Sequence, residues 1–250
     1  MLQGRHFARR GLVGEKTVGC LGNTQDEGYI VQDCNHRRSK LLKVIVIGAN
    51  GNTATRVIQL LLHSPHEPLA MIRNVEQRAK FDALGVSTVL ADLEYPIDHA
   101  VTGCDAVIFA AGSGGHTGKD KTVLVDHIGA IRSMVTAQRQ GAKRYLMLSS
   151  INADEHSNSQ IAHYHKAKAL ADQFLMQTDL EWTIVCPGGL RDDLGNGLVA
   201  VSEETHLEGI TTRDNLARVL VGCLDLANTI GKRFSLLEGE TPIDSALRSV

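Results

Sequence analysis

The chain has little of several features that mark particular classes of protein. Aromatic residues make up 4% of its 250 residues, and 26 Lys plus Arg against 28 Asp plus Glu give a formal net charge of −2. Nucleic-acid binding relies on a basic surplus and on aromatic side chains that stack on bases, so we expect no nucleic-acid partner. No apolar run approaches the roughly 18 residues of a membrane-spanning helix, so we expect no membrane contact.

The cysteines are odd in number and far apart, and no two form a C-x-x-C pair. They are Cys20, Cys34, Cys104, Cys186 and Cys223. This spacing predicts neither a disulfide framework nor a zinc site, and it favours a reducing, cytoplasmic location with no bound metal. What the chain does contain is 43% hydrophobic residues, which is enough for a full core.

Residues 1–40 differ in composition from the rest. They hold seven basic and four acidic residues, are rich in glycine, and show no sustained helical or strand period. Three arginines without an acid in residues 1–14 are also typical of a mitochondrial presequence, but Gly4 and Gly11 weaken a helix there and serine is absent. We predict a flexible extension over 1–40 and a single domain over 41–250.

From residue 41 the hydrophobic pattern alternates between strand and helix. Short apolar runs predict seven strands, at 41–47, 69–73, 86–91, 106–111, 144–148, 182–186 and 233–237. Apolar residues at helical spacing predict six helices, at 51–63, 75–84, 97–101, 122–139, 160–177 and 212–227. This rhythm predicts right-handed βαβ crossovers and a doubly wound α/β fold, with a parallel sheet between two helix layers.

The first strand ends in a glycine-rich turn that suits a dinucleotide. Gly48, Gly51 and Ala54 form the pattern G-x-x-G-x-x-A between a strand and a helix. Gly48 can make the tight turn, Gly51 lets the backbone approach a pyrophosphate, and Ala54 lets the helix approach the sheet. The positive end of the helix dipole then faces the anion. The pattern predicts dinucleotide binding; the simpler alternative is a turn without a ligand.

The end of the second strand favours one cofactor. NAD enzymes usually carry Asp or Glu there, which binds the ribose 2′-hydroxyl. This chain has Arg73 and Asn74 instead, and a guanidinium suits a 2′-phosphate through charge-assisted hydrogen bonds. We therefore predict NADP in preference to NAD; the alternative is that Arg73 is a solvated surface residue.

The third and fourth strands should end at the same crevice of a parallel sheet. Asp92 follows the third strand, where it can accept a hydrogen bond from the adenine amino group or cap a helix. Ala110, Ala111 and Gly112 follow the fourth strand. The glycine-rich loop 112–118 either closes over the cofactor or is a disordered connection.

Residues able to transfer a proton follow the fifth strand. It ends in Ser149 and Ser150, and the next helix carries Tyr164 and Lys168 four residues apart, on one helix face. A nearby ammonium stabilises phenolate and lowers the tyrosine pKa, so that the tyrosine can exchange a proton near neutral pH. A serine hydroxyl at the strand end can hold the substrate oxygen. The pattern Y-x-x-x-K alone is common by chance, whereas its position after the other motifs is specific.

In this combination the chain resembles the short-chain dehydrogenase/reductase superfamily, and within it the atypical branch of NmrA-like and NAD-dependent epimerase/dehydratase-like proteins. The segments that carry the resemblance are 44–51, 71–74, 109–114, 147–150, 164–168 and 182–188. It covers about residues 42–240 and implies a Rossmann fold with a small C-terminal substrate region. Two departures are Cys186, where the family often has Arg, and Ala54, which replaces the third glycine.

The resemblance also implies roles for individual residues. The implied catalytic trio is Ser150, Tyr164 and Lys168. The implied cofactor contacts are Gly48, Asn50, Gly51, Asn52, Thr53, Arg73, Asp92, Leu93, Ala110, Ala111, Gly112, Lys168, Pro187 and Gly188. Within this set, the residues up to Thr53 lie along the pyrophosphate, and Pro187 and Gly188 border the nicotinamide.

These features together predict an NADP-dependent oxidoreductase that transfers a hydride to or from a small carbonyl or alcohol, as a monomer or homodimer. One alternative is a redox sensor that binds NADP(H) with little catalysis. The other is a sugar-nucleotide epimerase or dehydratase, for which few residues remain after Gly189 to build a pocket. Arg191, in the presumed substrate loop, either holds an anionic substrate or is solvated.

Overall fold

The computed structural model of the protein describes residues 41–114, 117–204 and 207–250. The predicted extension over 1–40, and with it the predicted domain boundary, lies outside these residues, as does part of the loop 112–118. Within the three described stretches, no helix is long and apolar enough to cross a membrane.

The strands and helices alternate along most of the chain. The strands are β1 Lys43–Ile47, β2 Glu67–Ile72, β3 Ser87–Leu90, β4 Ala106–Phe109, β5 Arg144–Leu148, β6 Glu181–Pro187, β7 Gly189–Arg191, β8 Leu198–Ser202, β9 Ile210–Thr212, β10 Lys232–Glu238 and β11 Thr241–Pro242. The helices are α1 Asn52–Leu61, α2 Arg78–Asp82, α3 Asp98–Val101, α4 Lys119–Lys121, α5 Ala130–Gln140, α6 Ala162–Met176, α7 Arg213–Gly222 and α8 Ile243–Arg248. A 3₁₀ turn, Val75–Gln77, precedes α2, and a π-helical segment, Thr122–Gly129, joins α4 to α5.

Nine of these strands form one sheet in the order β11-β8-β10-β6-β5-β4-β1-β2-β3. The seven strands from β10 to β3 pair in parallel, and β8 and β11 extend the sheet with antiparallel pairs. The predicted fold class, a Rossmann-like doubly wound sheet in three αβα layers, is therefore confirmed. All seven predicted strands are present, each within two residues of its predicted ends.

The strand residues point alternately into two cores because side chains alternate across a pleated strand. On β1, Val44 and Val46 belong to the core beneath α1, α7 and α8, whereas Ile45 and Ile47 belong to the core beneath α3, α5 and α6. All four side chains are fully buried. The continuous apolar run that predicted a strand buried on both faces is thus explained by helices on both sides of the sheet.

Some of the structure differs from the prediction. The helix expected over 122–139 is π-helical over its first eight residues and α-helical only from Ala130, because apolar periodicity does not distinguish the two windings over so short a stretch. The short parallel pair of β7 and β9, the antiparallel edge of β8 and β11, and the terminal helix α8 were not predicted. The strands β7, β9 and β11 have only two or three residues, which is too short to show an alternating pattern.

The strand order places one crevice at the centre of the sheet. The chain runs outward from β1 to β3 in one direction and outward from β4 to β10 in the other, so β1 and β4 are neighbours at the point where the order reverses. Ligands of open α/β sheets bind outside the carboxyl ends of the strands at this point. The glycine turn after β1 and the residues after β4 meet there.

Candidate functional site

The turn after β1 is built around a glycine that no other residue can replace without strain. Gly48 has φ of +81°, and a Cβ placed on it would lie 2.6 Å from Cα of Ala111 after β4. The turn is closed by a hydrogen bond of 2.9 Å that the N–H of Gly51 donates to the carbonyl of Gly48. The backbones of the two central strands thus approach closely at the floor of the crevice.

Helix α1 begins directly above this turn and leaves its first N–H groups without a side-chain cap. Its N-cap residue is Gly51, and its first turn contains no acidic residue. Uncapped N–H groups and the positive end of the helix dipole attract an anion, and neither is satisfied here by a carboxylate of the helix itself. Asn52 is exposed at this end, whereas Thr53 is buried against the sheet. The geometry therefore fits a pyrophosphate.

A cleft opens between the turn and the ends of β2, β3 and β4. The predicted residues that line it are Gly48, Asn50, Gly51, Arg73, Asp92, Leu93, Ala110, Ala111 and Gly112. It is also lined by Ile47, Met71, Gln77, Ala91, Ser113 and Val125, which were not predicted as site residues. The structure thus brings nine of the predicted residues together around one cleft. Asn52, Thr53, Ser150, Tyr164, Lys168, Pro187 and Gly188 lie outside its lining.

Arg73 lies exposed at the end of this cleft, where two further polar residues accompany it. Oε1 of Gln77 accepts hydrogen bonds from the N–H groups of Arg73 and Asn74, at 3.0 and 3.3 Å. Nζ of Lys80 donates to Oδ1 of Asn50 at 3.2 Å. Neither Gln77 nor Lys80 was predicted as a site residue. The pattern N-x-x-Q, a capping box that starts at Asn74, was the available signal for Gln77.

Asp92 has a role in the turn after β3. Its Oδ1 accepts a hydrogen bond of 3.0 Å from the N–H of Glu94, as a capping residue does. Its side chain also lies in the lining of the cleft. Both interpretations considered from the sequence, a turn cap and an adenine contact, are therefore compatible with its position.

The predicted Lys168 is deeply buried behind the cleft. Its side chain is 3% exposed, and its Nζ donates to the carbonyls of Leu148 and Ala111, at 3.2 and 3.4 Å. Oδ1 of Asp126 lies 3.4 Å from the same nitrogen. Because Ala111 lines the cleft, Lys168 connects α6 to the wall on which a cofactor would rest.

Asp126 is a buried acid that the sequence did not single out. It lies on the π-helical segment with no exposed surface, and its Oδ2 accepts a hydrogen bond of 3.0 Å from the N–H of Ser113. A Cβ on Gly112 would come within 3.2 Å of its Oδ1. Asp126 therefore joins the loop after β4 to Lys168. An acid within a predicted apolar helix is only a weak sequence signal.

Tyr164 and Lys168 lie together, as their spacing predicted, with Nζ 5.8 Å from the centre of the phenol ring. The predicted net effect on the tyrosine pKa was wrong in sign. Burial raises the pKa of Tyr164; Lys168 lowers it, but Asp126 raises it again. Burial lowers the pKa of Lys168, but the combined effect of Tyr164, Asp126 and Asp172 raises it. The phenol and the ammonium are thus both held in their protonated forms.

The two serines after β5 have different surroundings. Ser149 is 3% exposed, and its Oγ donates a hydrogen bond of 2.6 Å to Oδ2 of Asp172 on α6. Ser150 is half-buried, and its Oγ forms no hydrogen bond with any residue that the structure describes. Ser150 is therefore the serine whose hydroxyl is left available to a ligand.

The strand end that was expected beside the nicotinamide is tightly packed. A Cβ on Gly188 would lie 2.3 Å from the carbonyl oxygen of Gly209, so packing alone requires glycine there. Cys186 is buried, and burial raises the pKa of its thiol to about 12, as expected for a packing residue and not for a nucleophile.

The loop after β7 is held by ion pairs. Arg191 pairs with Glu238 and with Asp193, so its guanidinium already has carboxylate partners. Asp192 pairs with Arg56 on α1, at 3.3 Å, and with Arg213 on α7, at 3.0 Å.

Comparison with known proteins identifies the family. The profile of the NAD(P)H-binding family matches residues 48–226. A Bacillus subtilis protein named as an uncharacterized sugar epimerase is 42% identical over 215 residues, which cover 84% of this chain and 100% of the relative. A budding yeast protein of unassigned function, YMR090W, is 30% identical over 84% of this chain and 99% of its own length.

Solved structures agree with this result. A Bacillus halodurans protein, provisionally named as an NAD-dependent epimerase/dehydratase, superposes with a TM-score of 0.80 at 40% identity, over 84% of this chain and 100% of that one. The Lactococcus lactis oxidoreductase YlbE superposes with a TM-score of 0.75 at 28% identity, over 84% of this chain and 96% of that one. The chain belongs to the NAD(P)H-binding family and, within it, to the atypical short-chain dehydrogenase/reductase-like proteins.

Proposed function

We propose that the protein is an NADPH-dependent oxidoreductase that reduces a small carbonyl compound, or oxidises the corresponding alcohol, with Ser150, Tyr164 and Lys168. The observation that carries the proposal is the position of Lys168. Its buried ammonium lies 5.8 Å from the phenol ring of Tyr164 and 3.4 Å from the carbonyl of Ala111 in the cleft wall. The side chain of Lys168 therefore contacts both the proposed proton donor, Tyr164, and the wall of the cofactor cleft.

Two parts of the cleft would hold the cofactor, one at its pyrophosphate and the other at its 2′-phosphate. The uncapped start of α1 and the turn at Gly48 and Gly51 would hold the pyrophosphate. Arg73, with Lys80 beside Asn50, would bind a 2′-phosphate by charge-assisted hydrogen bonds, which favours NADP over NAD. The two residues that directly follow β2, where NAD enzymes usually carry a carboxylate, are Arg73 and Asn74.

The reaction would proceed by proton donation from the protein. When bound, the reduced nicotinamide supplies a hydride. Ser150 would bind the carbonyl oxygen of the substrate through its free hydroxyl, and Tyr164 would donate the phenolic proton to that oxygen. Lys168 would stabilise the resulting phenolate by its charge. The raised pKa of Tyr164 before the reaction keeps the phenol protonated and thus suited to reduction.

We further propose that the protein acts in the cytoplasm as a monomer or homodimer, on a small molecule, without a nucleic-acid or membrane partner. The balanced charge argues against a nucleic-acid partner, and the buried, unpaired state of Cys104, Cys186 and Cys223 supports a reducing compartment.

A second candidate is epimerase or dehydratase chemistry, which the names of two relatives favour. Such enzymes also bind a nicotinamide cofactor but return the hydride to the substrate within one cycle. They would therefore not consume NADPH, which separates the two candidates in an assay.

The test is the replacement Tyr164→Phe. The variant should bind NADPH as before, because Tyr164 is not among the residues that line the cofactor cleft. It should lose at least about 100-fold in turnover with a panel of small carbonyl compounds, because the proton donor is absent. NADPH fluorescence measures binding, and NADPH absorbance measures turnover. Tyr95→Phe, at a tyrosine that is 67% exposed, is the matched control. Equal turnover in the Tyr164 variant and in the control would contradict the assignment.

A further inference from the structure

A second buried carboxylate lies beside Lys168 and takes no part in the proposed reaction. Asp172 follows Lys168 by one turn of α6, and its side chain is 3% exposed. Its Oδ2 accepts the hydrogen bond of 2.6 Å from Ser149 and lies 3.5 Å from Nε of Arg233 on β10. Within the described part of the chain, its Oδ1 has no hydrogen-bond partner. Asp172 thus joins three elements, α6, the end of β5 and β10.

The contact with Asp172 decides which serine is free. Tyr145, Met147 and Ser149 are alternate residues, so their side chains leave the strand on the same face. Tyr145 and Met147 belong to the core that includes α6, and the Ser149 hydroxyl meets Asp172 on that helix. The Ser149 hydroxyl therefore holds the end of β5 against α6 and is not available to a ligand. The hydroxyl of the next residue, Ser150, has no hydrogen-bond partner among the residues that the structure describes, so it is left available to a substrate oxygen.

We propose that Asp172 is a positioning residue of this site, which fixes the end of β5 through Ser149 and thereby aims Ser150 at the substrate. The contact with Arg233 ties the same point to β10. This inference rests on the proposed function, because it assigns a consequence for catalysis to a residue that does not itself contact the reacting atoms.

The charges around Asp172 come from each element packed against it. Arg233 faces it from β10, Lys168 and Tyr164 from its own helix, and Cys186 from β6. Asp126 faces Lys168 from the π-helical segment. Burial raises the pKa of Asp172 to about 6, although Ser149, Arg233 and Lys168 act to lower it. At neutral pH the carboxylate is charged and able to hold Arg233; below about pH 6 it is protonated and loses that charge.

This shift gives the stability of the fold a definite pH dependence. An aspartate pKa that rises from 3.8 to about 6 on folding means that the folded chain binds more protons than the unfolded chain between these values. Stability therefore decreases as pH rises through this interval and stays lower above it. Asparagine at position 172 does not ionise, so the variant should not lose stability as the pH rises through this interval. A residue kept only for stability would show the opposite behaviour on replacement.

The experiment compares Asp172→Asn, Ser149→Ala and the matched control Asp179→Asn, at an exposed aspartate just beyond α6. Asp172→Asn mimics the protonated acid, so its kcat should fall by at least about 10-fold while NADPH affinity is unchanged. Its activity should no longer decline below about pH 6. Its melting temperature above that pH should exceed that of the unmodified chain by about 4 °C or more.

Ser149→Ala keeps the carboxylate and removes its hydrogen bond. Because that bond lowers the pKa of Asp172, the decline in activity should move to higher pH, and kcat should again fall. This variant decides the question if Asp172→Asn does not fold. The Asp179 control should match the unmodified chain in each measurement.

Two results would overturn the inference. One is full kcat in both variants; the other is a loss of kcat that parallels weaker NADPH binding and a lower melting temperature, as for a residue with only a scaffold role. If the unmodified chain reduces no carbonyl compound at all, the proposed function is wrong, and the inference falls with it. Turnover of the unmodified chain is therefore measured first.

Discussion

Gly48 and Ala111 face each other across β1 and β4 with no space for a side chain between them. A Cβ on Gly48 would lie 2.6 Å from Cα of Ala111 and 2.8 Å from its nitrogen, closer than side-chain carbons approach backbone atoms. The two strands meet at the point where the strand order reverses, and both residues line the cleft there. The two residues themselves are 63 positions apart in the sequence.

Gly48→Ala should damage both stability and cofactor binding. The positive φ costs an L-residue about 1–2 kcal/mol, and the clash with Ala111 adds to it. Gly141 is the matched control, because its φ is +80° and a Cβ there would meet nothing within 4 Å. Gly141→Ala should cost only the conformational energy and leave NADPH binding intact. Urea unfolding and NADPH fluorescence measure the two effects, and similar losses in both variants would contradict the clash.

Arg73→Ala and Lys80→Ala should weaken NADPH binding much more than NADH binding. A lost charge-assisted bond to the 2′-phosphate corresponds to about 1.5–3 kcal/mol, or roughly a 10- to 100-fold increase in Kd. NADH lacks that phosphate and should bind each variant as it binds the unmodified chain. Arg78→Ala, at an exposed arginine of α2, is the control. If the variants lose affinity for NADPH and NADH equally, Arg73 and Lys80 do not bind the 2′-phosphate.

Asp126→Asn should shift the titration of Tyr164 to lower pH. The carboxylate of Asp126 raises the pKa of Tyr164 and that of Lys168, so the isosteric amide removes both effects. The high-pH decline of reductase activity, where the phenol loses its proton, should therefore begin at lower pH. Asp120→Asn, an exposed acid on α4, is the control. An unchanged profile would contradict the effect of Asp126 on Tyr164.

Cys104, Cys186 and Cys223 should resist thiol reagents in the native chain at pH 8. All three are buried, and burial raises the pKa of their thiols to about 11, 12 and 11, respectively. Because the thiolate is the reactive form, alkylation should follow unfolding. Peptide mapping by mass spectrometry, before and after denaturation, measures the modification of each thiol. Rapid labelling of Cys186 in the native chain would contradict this prediction and would indicate a reactive thiolate at that position.

The sequence predicted what depends on local pattern. Apolar runs such as Val44–Ile47 identified the strands, and the glycine turn and Arg73 identified residues that line one cleft. Asp126 and Lys80 were missed because their importance arises from contacts between segments far apart in the chain. Gln77 had a local signal, the capping box that starts at Asn74, which was not used. The pKa of Tyr164 was predicted with the wrong sign because spacing reveals Lys168 but not burial.

Because Asp126 lies on the π-helical segment Thr122–Gly129, its contacts with Ser113 and Lys168 depend on the number of residues in that segment. Such a segment fits an additional residue into a helix without changing where the helix ends. Deleting one residue between Thr122 and Asp126 should restore regular helical winding and rotate the Asp126 carboxylate by about 100° relative to the residues that precede the deletion. The chain would keep its fold while Ser113 and Lys168 lost their common partner. In this region a one-residue deletion is thus more disruptive to the site than most substitutions.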